Sequence, residues 1–322
     1  MHRVSESVFN SNDEQGISYV SNRSKSHILK IERCQITNNG LSPVFNGKPS
    51  GAIHLSAINQ VFKIVNNYLA ENKNGAIFSS VLHEDPPTEP KLISQIHANT
   101  LESNNGGTLI LEGNSEPFLN VNVTDNYFSL NLAQDWNGKA NSVCNITRLL
   151  AIVRGNFFYK NIGHYVFLYD LPKKDVTGLQ FVNNTLYKNS ASGLNVKYGA
   201  TILCNGGAEI HGNVLQNPGN RYQISTSMRG SSFIANATFN WWGESKPDLI
   251  AFLILDNKKD YRLSLTVVFQ PFIALLPRRV ISGKYHPLHR LVSVILSICL
   301  YLPYDQSRTS LPSVELISRK FK

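Results

Sequence analysis

The chain repeats itself about every thirty residues. Asn67, Asn99, Asn126, Asn156, Asn184 and Asn213 are separated by 32, 27, 30, 28 and 29 residues. Three residues before each anchor stands an apolar side chain (Ile64, Ile96, Val123, Val153, Phe181, Ile210), and two residues after it another (Leu69, Leu101, Phe128, Phe158, Leu186, Leu215). Five residues after the anchor comes a second asparagine at Asn72, Asn104, Asn131, Asn161 and Asn189, with Asn217 one place early. A glycine often follows, as at Gly75, Gly106 and Gly163. Upstream the frame extends to a unit read as Ile36, Asn39 and Leu41 and to one with Val4, Ser7, Phe9 and Asn12, making eight units in all. Downstream, neither Asn236 nor Asn240 fits it cleanly.

A unit this short cannot bury its own apolar side chains, so successive units must stack. The stretches "ILKIERCQITNN", "FKIVNNYL" and "LQFVNNTLY" alternate in strand fashion and are broken by Asn and Gly turns. Helical repeats would need two amphipathic helices per unit, leucine-rich repeats an L-x-x-L-x-L run, and calcium-binding β-rolls a nine-residue Gly/Asp pattern; none is present. The expected fold is therefore all-β, a parallel β-helix of about eight coils. Coils occupy 1–243, a closing segment 244–276, and an irregular tail 277–322. Equivalent residues of neighbouring coils should lie about 4.8 Å apart, so like side chains form columns. The positions three before and two after the anchor become internal apolar columns. The asparagines become ladders, each amide donating to one neighbouring coil and accepting from the other. Glycine after the second asparagine is expected to supply the positive φ of a corner.

Composition narrows function by exclusion. Of the net charge of +9, six charges fall after Pro277, where eight basic residues face Asp305 and Glu315. The coils carry too little positive charge to track phosphates, so no nucleic-acid partner is expected. Cys34, Cys144, Cys204 and Cys299 are scattered without metal spacing. The first residues hold no apolar leader, and "LVSVILSICLYL" (291–302) is shorter than the roughly 20 residues that span a bilayer. Five N-x-[ST] sequons make Asn22, Asn122, Asn145, Asn183 and Asn236 candidate glycan acceptors, though any Asn-rich chain contains such triplets by chance. Adjacent residues of extended chain point opposite ways, so Asn184 should join the ladder while Asn183 faces solvent. Trp241 and Trp242 have no upstream counterpart in the frame. They are read as aromatics that close the stack, the rival being a sugar-stacking platform.

Three ordered stretches, "HGNVLQNPGNRYQIST" (211–226), "NATFNWWG" (236–243) and "LDNKKDYRLSLTVVFQPFI" (255–273), resemble the right-handed β-helix segments of the protein bark beetle family. The resemblance covers roughly 1–273. It implies an ectodomain segment of a large animal membrane protein that combines β-helix blocks with scavenger-receptor, CUB and lectin-like modules. The implied place is the extracellular face of the plasma membrane at cell–cell junctions, and the implied role is epithelial junction organisation by adhesion, without catalysis. Partners would be extracellular proteins or glycans, with contact between like copies left open; the membrane would be reached only through other parts of the full-length protein. None of the cysteine-rich modules occurs here and the chain starts inside a coil at Val4, so it is read as a piece of a longer protein.

β-Helices also include polysaccharide lyases and hydrolases, which need an acid and a base within about 5–10 Å. Glu71, Glu102 and Asp125 lie near the anchors at different offsets and are not expected to stack. Asp170 and Asp175 flank Lys173 and Lys174, a pattern expected of a solvated outward loop. His97 and His211 share one repeat position but lie four coils apart, about 19 Å by the coil spacing, too far to share a metal. Each is expected to stand alone. No Ser/His/Asp set, phosphate-binding loop or cofactor is expected. The leading reading is a non-catalytic scaffold; the alternative is a carbohydrate-active or glycan-binding β-helix.

Overall fold

The computed structural model describes residues 2–21, 27–40, 51–58, 60–82, 93–113, 120–133, 141–171, 176–191, 199–227 and 232–274. Within them the chain is an all-β parallel solenoid with a single short helix, Pro247–Phe252. Three long sheets run along it. Sheet A has ten strands, from His2–Ser5 through Asn120–Thr124 to Leu265–Val268. Sheet B has eight, from Val8–Asn10 through Tyr127–Ser129 to Val214–Gln216. Sheet C has nine, from Ile17–Ser21 through Ser142–Thr147 to Ile254–Leu255. Residues Leu132–Ala133, Ile162–Gly163 and Ser190–Ala191 add a short fourth sheet, D. The eight strands of sheet B are joined by seven coil-to-coil steps, so there are about seven turns, slightly fewer than the eight coils expected.

The apolar columns fall where the spacing puts them. Ile64, Ile96, Val123, Val153, Phe181 and Ile210 pair in register along sheet A, and Leu69, Leu101, Phe128, Phe158, Leu186 and Leu215 along sheet B; all are buried. Phe128 and Phe158 stack with centroids 4.5 Å apart and planes within 4°. Register makes this stacking automatic: one coil spacing brings identical rings to face-to-face contact distance.

The asparagine ladders form, and each amide binds more than expected. Asn126 Nδ2 donates forward to Asn156 Oδ1 (3.0 Å) and backward to the Ile96 carbonyl (2.9 Å), while its Oδ1 accepts from the backbone and side-chain nitrogens of Asn99 (2.9 and 3.0 Å). Each amide thus clamps three coils and leaves no buried polar atom unmatched, which is why asparagine recurs in a dry corner. The second ladder repeats this through Asn72, Asn104, Asn131, Asn161 and Asn189, and Asn217 still accepts from Asn189 despite its early place.

Three register expectations need correction. Asn240 is a full member of the first ladder, accepting from Asn213 N and Nδ2 at 2.8 and 2.9 Å. Trp242 consequently falls two places after an anchor, in the apolar column, and Trp241 pairs with Val214, so both have upstream counterparts. In the second unit Ile36 pairs with Leu69 and Asn39 donates to Asn72, so these two fill the positions two and five after the anchor, and Cys34 is the anchor. A pattern of apolar residues flanking asparagine occurs twice per coil, and the unit was assigned to the wrong one. Leu41 lies outside the described residues, as does all of 277–322.

The corners also differ from expectation. Gly75 and Gly106 have φ of 91° and 97°, but the recurrent left-handed residue is the one just before each ladder position, and it is seldom glycine. Asn66, Ala98, Asp125 and Asn183 precede the first ladder, and Glu71, Ser103, Leu130, Lys160 and Lys188 the second, all with φ between 53° and 58° or within a degree of that range. Such residues each cost on the order of 1 kcal/mol in backbone strain. The four hydrogen bonds of the following asparagine offset it. At Gly75 glycine is required for space: a Cβ would sit 2.3 Å from the Gly107 carbonyl oxygen.

Candidate functional site

With the interior filled by apolar columns and amide ladders, any recognition must use outward side chains, which stand in columns one coil apart. On sheet A, residues two and four before the anchor point out. Glu209 and His211 occupy these places on Gly207–His211, and Asn236 and Thr238 occupy them one coil later. The four close a ring. His211 Nε2 contacts Glu209 Oε2, Asn236 Nδ2 donates to the same oxygen at 3.0 Å, and Thr238 Oγ1 lies 3.1 Å from both Asn236 Oδ1 and His211 Nδ1. Four coils from His211, His97 Nδ1 lies 2.9 Å from Thr124 Oγ1 and 3.6 Å from Asp125. Neither histidine stands alone, contrary to expectation. The Thr/His/Glu set escaped the sequence reading because Thr238 enters the column only once Asn240 is recognised as an anchor; a Glu-x-His pair on a strand was the available signal.

On sheet C, Glu112, Thr147, Asp170 and Asn205 form one outward column. Asp170 is the last residue of strand Tyr165–Asp170, not part of a loop, and burial raises its carboxyl above the usual range, against the opposing pull of Asn205 and Arg148. Glu112 stands two coils from it, about 10 Å by the coil spacing. Glu112 was not singled out in the sequence, because its offset from the anchor varies with corner length. Lys173, Lys174 and Asp175 lie outside the described residues.

Sheet B turns an aromatic face outward. Tyr127 stacks on Phe157 at 5.5 Å and Tyr159 on Tyr187 at 6.0 Å, while Lys160 and Lys188 each set an ammonium 5.1 Å from the preceding tyrosine ring. Rings stacked along the solenoid cover one another's faces and present edges. The tryptophan pair is no platform either: Trp242 is buried edge-on to Phe269 at 6.3 Å, and only Trp241 faces out. Toward the other end of the same face, Glu102 Oε2 accepts from Tyr68 Oη at 3.3 Å and Glu71 is exposed.

Among the sequons, Asn122, Asn145, Asn183 and Asn236 are all half-buried. Thr147 and Thr238 donate their hydroxyls to the acceptor amides of Asn145 and Asn236 at 2.8 and 3.1 Å. Asn183 takes no part in the ladder, but it is half-buried with a buried side-chain oxygen and not solvent-facing as expected, and it holds a left-handed corner (φ 55°) where strand alternation does not apply. Asn22 and Cys299 lie outside the described residues; Cys34, Cys144 and Cys204 are buried and unlinked. Among the described residues no three His, Cys, Asp or Glu side chains gather as a metal site, and no helix is long and apolar enough to cross a membrane. No protein-family model, curated protein or solved structure matches the chain.

Proposed function

We infer that this chain is a non-catalytic extracellular scaffold of the bark beetle type, acting in cell–cell adhesion and epithelial junction organisation through protein or glycan partners. The observation that carries this reading is the use of polar side chains on the outward faces. In the ring of Glu209, His211, Asn236 and Thr238 the polar atoms are satisfied by one another across coils, in place of converging on a cleft. Long, straight columns of this kind suit extended contact with a partner. The sequons and the three sequence motifs agree with an extracellular setting. The test is to incubate the full chain with a panel of polysaccharides and, separately, with epithelial cell surfaces. Surface binding without cleavage is expected; sustained turnover overturns the scaffold.

One observation favours the carbohydrate-active alternative: Glu112 and Asp170 share a column at about 10 Å by the coil spacing, close to the separation of an inverting carboxylate pair. Asp170→Asn separates the readings. If Asp170 is only a half-buried strand residue, its raised pKa means ionisation costs stability. That contribution is intact below the unfolded carboxyl pKa and lost as pH rises through the folded one. The variant should then melt higher than the parent at pH ~7, and the difference should vanish below about pH 4. Abolished turnover in D170N would instead assign it as the acid.

A further inference from the structure

The corner after sheet B carries one left-handed residue per coil; after Ser11 and Asn38 come five in succession, Glu71, Ser103, Leu130, Lys160 and Lys188. All share the same left-handed backbone conformation, with φ of 58°, 53°, 56°, 52° and 55°, and all are exposed. Identical backbone conformation in register makes their Cβ directions parallel and spaces them by about 4.8 Å, a rigid comb. The order of the teeth is acid, polar, apolar, base, base. Beside Ser103, on the adjacent outward column, stands Glu102, and beside the two lysines stand Tyr159 and Tyr187. The lysines are steered by these rings, each ammonium lying 5.1 Å from its tyrosine centroid. At the midpoint Leu130 is 50 % exposed, an apolar tooth with acids on one side and bases on the other.

This arrangement is complementary to its own reverse. A two-fold axis lying in the contact plane, across the stack at Leu130, turns a second copy antiparallel and keeps each column opposite itself. Glu71 then meets Lys188 of the other copy, Glu102 meets the Tyr159–Lys160 pair, and Leu130 meets Leu130. Symmetry doubles each pair. The neighbouring column adds no like-charge clash, because Lys73 falls opposite Ser190 and Asn105 opposite the exposed Ile162. Closed, self-complementary contacts of this kind are the commonest route to a homodimer, and matched charges set their register. We propose that this row binds a second copy of the same chain, antiparallel, about a two-fold axis through Leu130. The proposal deepens the scaffold reading by naming the partner.

Sedimentation of the full chain over a concentration series tests it. The parent should self-associate, more weakly as salt rises. Glu71→Lys and Lys188→Glu should each raise the dimer Kd by about tenfold or more, since each puts like charges together twice. The double exchange E71K/K188E should recover most of the affinity, because it restores both pairs with reversed polarity. Both positions are exposed, so melting temperature should hold and show that the variants fold. A chain monomeric throughout, single exchanges without effect, or a double exchange as weak as K188E alone each overturns the contact; the last would mean an acidic partner of another kind. A monomer that still binds cells and cleaves nothing removes the two-fold contact alone, whereas turnover removes the scaffold reading and leaves the sedimentation result standing.

Discussion

Asn183 and Asn184 are neighbours of one residue type with opposite duties. Asn184 accepts from Asn156 N and Nδ2 and donates to the Val153 carbonyl and to Asn213, all between 2.8 and 3.2 Å. Asn183 holds the corner at φ 55° and has a side-chain oxygen without a partner. Replacing Asn184 by Ala should cost about 3 kcal/mol or more in denaturant unfolding, since it orphans several buried groups at once. Replacing Asn183 by Gly should change stability by no more than about 0.5 kcal/mol, because glycine takes the left-handed conformation without strain. Equal costs would mean that the ladder carries no more stability than its flank. The ladder role of Asn184 was legible in the repeat. The reason for Asn183 was not, because a positive φ at a non-glycine residue leaves no mark in composition.

At the scale of the coil, strands of two to six residues are too short to persist alone, and their stability comes from pairing with neighbouring coils. Phe158 shows how. It stacks on Phe128 within the sheet B column and is fully buried. Phe158→Ala should therefore cost about 3–5 kcal/mol, read as a lowered denaturant midpoint, because rigid coils above and below prevent collapse into the cavity. An unchanged midpoint would place the ring outside. Strand identity and the inward positions could be read directly, since period-two alternation and apolar columns are local properties. The second unit and the last were misplaced for one reason: each coil has two asparagine corners flanked by apolar residues, and Asn39 and Asn240 can be assigned to either until a neighbouring coil is in place.

For the whole molecule, the scaffold reading predicts passage through a secretory pathway. Expression by that route should add mass removable by an N-glycosidase, most simply at Asn145, whose amide oxygen is held by Thr147 and whose nitrogen has no hydrogen-bond partner among the described residues. A secreted product of unshifted mass would count against extracellular use of the sequons. By itself the sequence determined that the chain is a stack of parallel strands, which residues line its interior and which amides tie coil to coil, because strand-type alternation repeated about every thirty residues can bury twelve recurrent apolar positions only when coils stack. Only the tertiary structure decided what meets on the outside. His211 with Thr238, Glu209 with Asn236, the column shared by Glu112 and Asp170, and the graded row from Glu71 to Lys188 all join residues 27 or more apart in sequence. Their meeting depends on the length of each intervening corner, and a change of one residue there rotates a side chain to the other face.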